Sequence, residues 1–120
     1  MTAAKKVPAP LPTAVTVGSQ VYRIVERTPG EDGGLSDSHA YTLNASNLIC
    51  LSVELPPARK RSFLMHELLH AMIFTFSQSE RNDKSENHDE WEHYFIGLVQ
   101  EPLVMLLRDN PDLLEYLTND

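Results

Sequence analysis

A single cysteine, Cys50, leaves this chain of 120 residues without a disulfide to form within itself, so a stapled secreted scaffold is excluded. Positive charge is also scarce: 10 Lys and Arg against 17 Asp and Glu give a net charge of -7. The one basic cluster, "ARKR" at 58–61, is too small to build the broad positive surface that phosphate backbones require. No direct nucleic-acid partner is expected. No apolar stretch reaches the length of a membrane span, and "MTAAKKVPAPLPTAV" lacks the continuous apolar core of a secretory signal. These absences make a cytoplasmic protein, without a membrane partner, the simplest expectation.

What remains is ordinary globular composition, 42% hydrophobic and 22% charged, in a chain long enough for one modest core. Prolines at 8, 10 and 12 among small residues make 1–12 an extended lead-in, with a single domain over 13–120. "AVTVGSQVYRIVE" places two β-rich runs around Gly18-Ser19 and reads as a hairpin with a II′ turn. "RTPGEDGGLSDSHA" has no periodicity and reads as a mobile loop. "YTLNASNLICLSVEL" gives two more strands, with Ile49, Leu51, Val53 and Leu55 alternating against Cys50, Ser52 and Glu54, so one face is expected to be buried. Cys50 itself is read as a small buried apolar residue.

Pro56-Pro57 ends that strand and opens a helix over about 58–77, apolar nearly all round and hence central. After the polar stretch "SQSERNDKSENHDE", Phe95, Leu98, Val99, Leu103 and Leu106 recur at helical spacing, with Pro102 predicting a kink. In "DNPDLLEYL", Asn110 is the expected cap of a short third helix that starts at Pro111. The expected fold class is α+β: a small antiparallel sheet packed on a buried helix and on a second long, kinked helix.

The buried helix carries "HELLH" at 66–70. Residues four apart share a helix face, so His66 and His70 can direct imidazole nitrogens at one point, as a metal requires. Glu67 is adjacent in angle, placed to act on a water as general base without ligating the ion. Two histidines and a glutamate buried in so apolar a helix are costly unless paired or bound to a cation. Ligand type points to zinc, and a catalytic zinc takes three protein ligands and keeps a fourth position open. Periodicity favours Glu92 as the third, since it shares a face with Phe95 and Val99; His88 lies on that face one turn earlier, and His93 is a further candidate. His39 is more remote.

H-E-x-x-H followed by a glutamate on a second helix resembles the ligand pattern of the gluzincin metallopeptidases. "HELLHAMIF" and "EHYFIGLVQEPLVMLLRDNPDLL" are similar to small phage and prophage metallopeptidase-like proteins related to the ImmA/IrrE group. The resemblance spans 62–115, and no aspartate stands one turn after Glu92 as in larger gluzincins. It implies a minimal zincin-like domain that hydrolyses a peptide bond in a narrow protein target, such as a phage or host regulator. In that reading His66, His70 and Glu92 hold Zn2+ and Glu67 moves the proton. Candidate donors to the oxyanion are Tyr41, His88, His93 and Tyr94, and the strand at 48–55 is the expected substrate-side edge.

Two other readings stand beside this one. A zinc-bearing binding protein needs no base, so the presence of Glu67 favours chemistry over it. A zinc hydrolase of small amides differs only in the shape of its pocket.

Overall fold

The computed structural model describes residues 9–77 and 88–118, with side chains described over 9–76 and 93–118. Four strands come first: β1 (Ala14–Val17), β2 (Gln20–Arg27), β3 (Ala40–Leu43) and β4 (Leu48–Ser52). Three helices follow: α1 (Pro57–Ser77), α2 (His88–Asp109) and α3 (Pro111–Thr118). The expected α+β class is the observed one.

β1 and β2 form the expected hairpin, with Val17 opposite Gln20. Gly18 takes φ 61 and Ser19 does not, as a II′ turn requires. The aromatic ring of Phe76 packs against Gly18 so closely that an added Cβ would meet its Cζ at 2.6 Å. Both conformation and contact therefore call for glycine.

The sheet is mixed, which corrects the expectation of a wholly antiparallel one. Its order is β1-β2-β4-β3, with β4 parallel to β2 and antiparallel to β3. All five residues of β4 are buried, and a strand apolar on both faces belongs in the interior of a sheet. β3 and β4, joined by a 3-10 turn at Asn44–Ser46, accordingly enter the sheet with β4 inward and β3 at the edge. β4 also stops at Ser52, leaving Val53 exposed. The loop from 28 to 39 covers the outer face of β4, where Leu35 is buried and Asp32 lies beside Cys50. Alternation in "ICLSVEL" therefore does not separate core from solvent.

On the inner face, Val15, Val17, Tyr22, Ile24, Ile49 and Leu51 meet Leu64, Leu68, Ala71 and Met72 of α1. Leu106 of α2 and Leu113 and Tyr116 of α3 complete this core. Truncating a fully buried leucine such as Leu64 or Leu68 to alanine costs about 2–5 kcal/mol. Ala9 and Leu11, from the predicted lead-in, pack against the same cluster. α2 continues through the buried Pro102 to Asp109.

Asn110 stands at the expected cap position before Pro111, but its side chain is used elsewhere. Its Oδ1 accepts from Thr16 N–H at 2.8 Å, while its Nδ2 donates to the carbonyls of Thr16 and Leu106, each at 2.8 Å. Its amide thus stands in for a neighbouring strand on β1 and covers part of that edge. Only its backbone carbonyl serves α3, accepting from Leu113 and Leu114. Among the described residues no helix is long and apolar enough to cross a membrane.

Candidate metal centre

α1 turns Leu64, Leu68, Ala71 and Met72 to the core under the sheet. His66 and His70 lie on the open side of the helix, the His66 side chain 63% exposed. This overturns the expectation that both histidines are buried: α1 is apolar on most faces but covered on only some. Desolvation accordingly gives no argument for a cation here. Geometry does, because the two Nε2 atoms converge to 3.2 Å with the rings 4.9 Å apart and 71° from coplanar. Two nitrogens bound to one tetrahedral zinc at about 2.0–2.1 Å each lie about 3.3 Å from one another. The pair fits two positions of such an ion, and the same separation suits an N–H···N hydrogen bond when none is bound.

Glu67 is the buried member of the motif, at 5% exposure. Its Oε1 accepts a hydrogen bond of 2.8 Å from the Thr42 hydroxyl, which also lies 3.3 Å from the Glu67 carbonyl oxygen. Its other oxygen, Oε2, stands 3.9 Å from His66 Nε2. One carboxylate oxygen is therefore anchored and the other is directed toward the histidines, as a base acting between them requires. A cavity of about 360 Å³ opens here, lined among others by Ala40, Thr42, Asn44, His66, Glu67 and His70.

Two candidate third ligands, Glu92 and His88, have side chains outside the described residues. His93 is exposed on α2. Among the described residues no group of three His, Cys, Asp or Glu side chains converges as a metal site; the structure brings together two histidines and one glutamate. His39 sits apart, its ring edge-on to Phe63 at 5.7 Å. The strand at 48–55 is not an edge: β4 is paired on both sides, and the edge beside the histidines is β3. An interior strand has no free backbone groups to offer a peptide.

Tyr41, a candidate oxyanion donor, is otherwise engaged. Successive residues of a strand face opposite sides, so where Thr42 reaches α1, Tyr41 reaches the outer loop and donates to Asp32 Oδ2 at 2.5 Å. Arg27 Nη1 lies 3.4 Å from both of those oxygens, Gly34 N–H donates to Asp32 Oδ1 at 2.9 Å, and the Cys50 thiol stands 3.8 Å from Oδ2. The Tyr41 hydroxyl, followed by Gly34 N–H, holds the Asp32 carboxyl below the usual carboxylate range. The same bond to Asp32 pushes the Tyr41 phenol up, and burial raises the Cys50 thiol. The loop that the sequence left without structure is thus pinned to the sheet.

Thr42 and Asp32 are the functional and structural residues that sequence reasoning missed. Alternation in "AYTL" could have placed Thr42 on the face opposite Tyr41, but not named a partner on a later helix. Comparison with protein-family models, with characterised proteins and with solved structures finds no match to this chain.

Proposed function

We propose that this chain is a zinc-dependent, metallopeptidase-like hydrolase acting on a peptide bond of a narrow protein target, in the cytoplasm. The observation that carries the reading is the pairing of converged histidine nitrogens with a buried, one-sidedly anchored glutamate. His66 and His70 hold the ion, with Glu92 as the proposed third ligand. Bound zinc supplies Lewis acidity and makes a water reactive near neutral pH.

The remaining work falls to side chains and backbone of this chain. Glu67 accepts the proton of the attacking water on Oε2 and then delivers it to the departing amine. Thr42 fixes the other oxygen, so the carboxylate does not rotate away from that task. The backbone of β3 supplies the place for an extended substrate. His39 carbonyl accepts from Ser52 N–H, so by antiparallel alternation Ala40 and Thr42 turn their N–H and C=O groups away from β4. A peptide that adds to this edge is held directly over the histidines.

A zinc-bearing binding protein would use the same histidines, but would need neither a buried base nor its threonine partner. Metal content decides first, measured on chain purified without a metal-binding tag beside His66→Ala, Glu92→Ala and Glu67→Gln. The expected result is about one zinc per chain, lost with His66→Ala or Glu92→Ala and retained with Glu67→Gln. Absence of metal from the unmodified chain after zinc is supplied would overturn the hydrolase and the zinc-binding readings together.

A further inference from the structure

Asn44, which borders the cavity over the histidines, also borders a second one of about 290 Å³, between the β1-β2 turn, the β3-β4 turn and the later part of α1. Gln20, Tyr22, Asn44, Asn47, Phe74 and Thr75 line it. Asn44 borders both cavities, and Phe74 follows His70 by one helical turn, so the two are neighbours along α1.

Among the described residues no Asp, Glu, Lys, Arg or His lines this second space. Its polar lining is three carboxamides and three hydroxyls, counting Ser19. Hydrogen bonds within the lining fix how these groups are turned. Tyr22 Oη donates to Asn44 Oδ1 at 2.8 Å, Asn47 Nδ2 donates to Gln20 Oε1 at 2.9 Å, and Gln20 Nε2 donates to Ser19 Oγ at 3.3 Å. Among the described residues this leaves the Nδ2 donor of Asn44 and the Oδ1 acceptor of Asn47 without a partner. A donor and an acceptor, with no charged side chain among the described lining, complement a group that both donates and accepts without charge. A primary carboxamide is such a group, and the Phe74 ring offers an apolar wall for the methylenes that carry it.

Strand direction assigns this group a place in a substrate. β3 runs from Ala40 by the histidines toward Leu43 and Asn44, so a peptide paired antiparallel to it enters with its N-terminal part over Asn44. We infer that the second cavity is a specificity site for a carboxamide side chain, glutamine or asparagine, on the N-terminal side of the reacting bond. This rests on the peptidase reading for its position in a substrate, but not for its chemistry.

The test is a titration of the full chain with four capped tripeptides, acetyl-Ala-X-Ala-dimethylamide with X as Gln, Leu, Glu or Lys, followed by NMR of the side-chain amide groups. The glutamine peptide is expected to shift the Asn44 and Asn47 amide signals and to bind roughly tenfold more tightly than the leucine peptide. Asn44→Asp keeps the acceptor for Tyr22 but replaces the free donor by a carboxylate, and is expected to transfer preference to the lysine peptide. Equal affinity for glutamine and leucine, shifts confined to another surface, or no binding by any peptide would overturn the inference. Zinc content of the same sample separates the two proposals. Carboxamide preference in a chain that takes up no zinc leaves the site standing and removes the peptidase, and zinc uptake without preference does the reverse.

Discussion

Tyr41 and Thr42 are neighbours on one edge strand, and each gives its hydroxyl to a carboxylate on a different face of the sheet. On the outer face, Asp32 accepts from Tyr41, Arg27 and Gly34, and both of its oxygens are engaged. On the inner face, Glu67 is anchored through Oε1 alone, and Oε2 stands beside a histidine at 3.9 Å. An acid with both oxygens engaged closes a loop. One left half-matched beside two converged imidazoles has capacity for chemistry. The contrast lies in what surrounds each carboxylate rather than in the acid itself.

The sharpest way to break this contrast is to add and remove zinc. At a free concentration one hundred times its dissociation constant, a native-state ligand adds about 2.7 kcal/mol of stability. Thermal melts of the unmodified chain are accordingly expected to shift upward with zinc and to fall back with a chelator, while His66→Ala and His70→Ala show neither response. A zinc response that survives both substitutions would place the ion elsewhere.

The Thr42-Glu67 bond can be measured on its own. In a double-mutant cycle between Thr42→Val and Glu67→Leu, followed by urea unfolding, the coupling is expected at about 1.5–3 kcal/mol, the range for hydrogen bonds to charged groups. Coupling near zero would mean that Thr42 does not hold the base.

Asp32 carries the matching test for the outer face. Its folded pKa is depressed, chiefly by the Tyr41 hydroxyl, so its contribution is present above its unfolded pKa of about 3.9 and is lost as pH falls through the lower folded value. Unfolding followed from neutral pH downward is expected to lose stability more gradually in Asp32→Asn than in the unmodified chain below about pH 4. Parallel curves would show that the loop is held by something other than this carboxylate.

Local patterns were enough for the hairpin at Gly18-Ser19, the start of α1 at Pro57, and the shared face of His66 and His70, because each depends on residues a few positions apart. What they did not give depends on distant partners. The parallel pairing of β4 with β2, the edge position of β3, and the attachment of Asn110 to Thr16 are set by how elements pack. The exposure of His66 and His70 belongs with these. An apolar run identifies a central helix, but only the packed neighbours decide which of its sides stays open. The same limit hid the loop from 28 to 39, whose order comes from Tyr41 and Arg27 across the sheet.

The smallest effect expected is also the most exacting test of the comparison. Tyr41→Phe removes the principal hydrogen bond to Asp32, which should return that carboxyl toward its ordinary range and weaken the acid-sensitive part of loop attachment. The histidines and Glu67 lie across the sheet from that bond, and sites without shared partners act independently to within about 0.3–0.5 kcal/mol. Zinc affinity, followed by competition with a chelator of known strength, is therefore expected to change in Tyr41→Phe by no more than about threefold. Thr42→Val, one residue along, is expected to leave the acid response of the loop unchanged in turn. A larger loss of zinc in Tyr41→Phe would mean that β3 shifts as a unit when its outer anchor is cut. The edge strand would then connect the closed loop to the open site instead of keeping them apart.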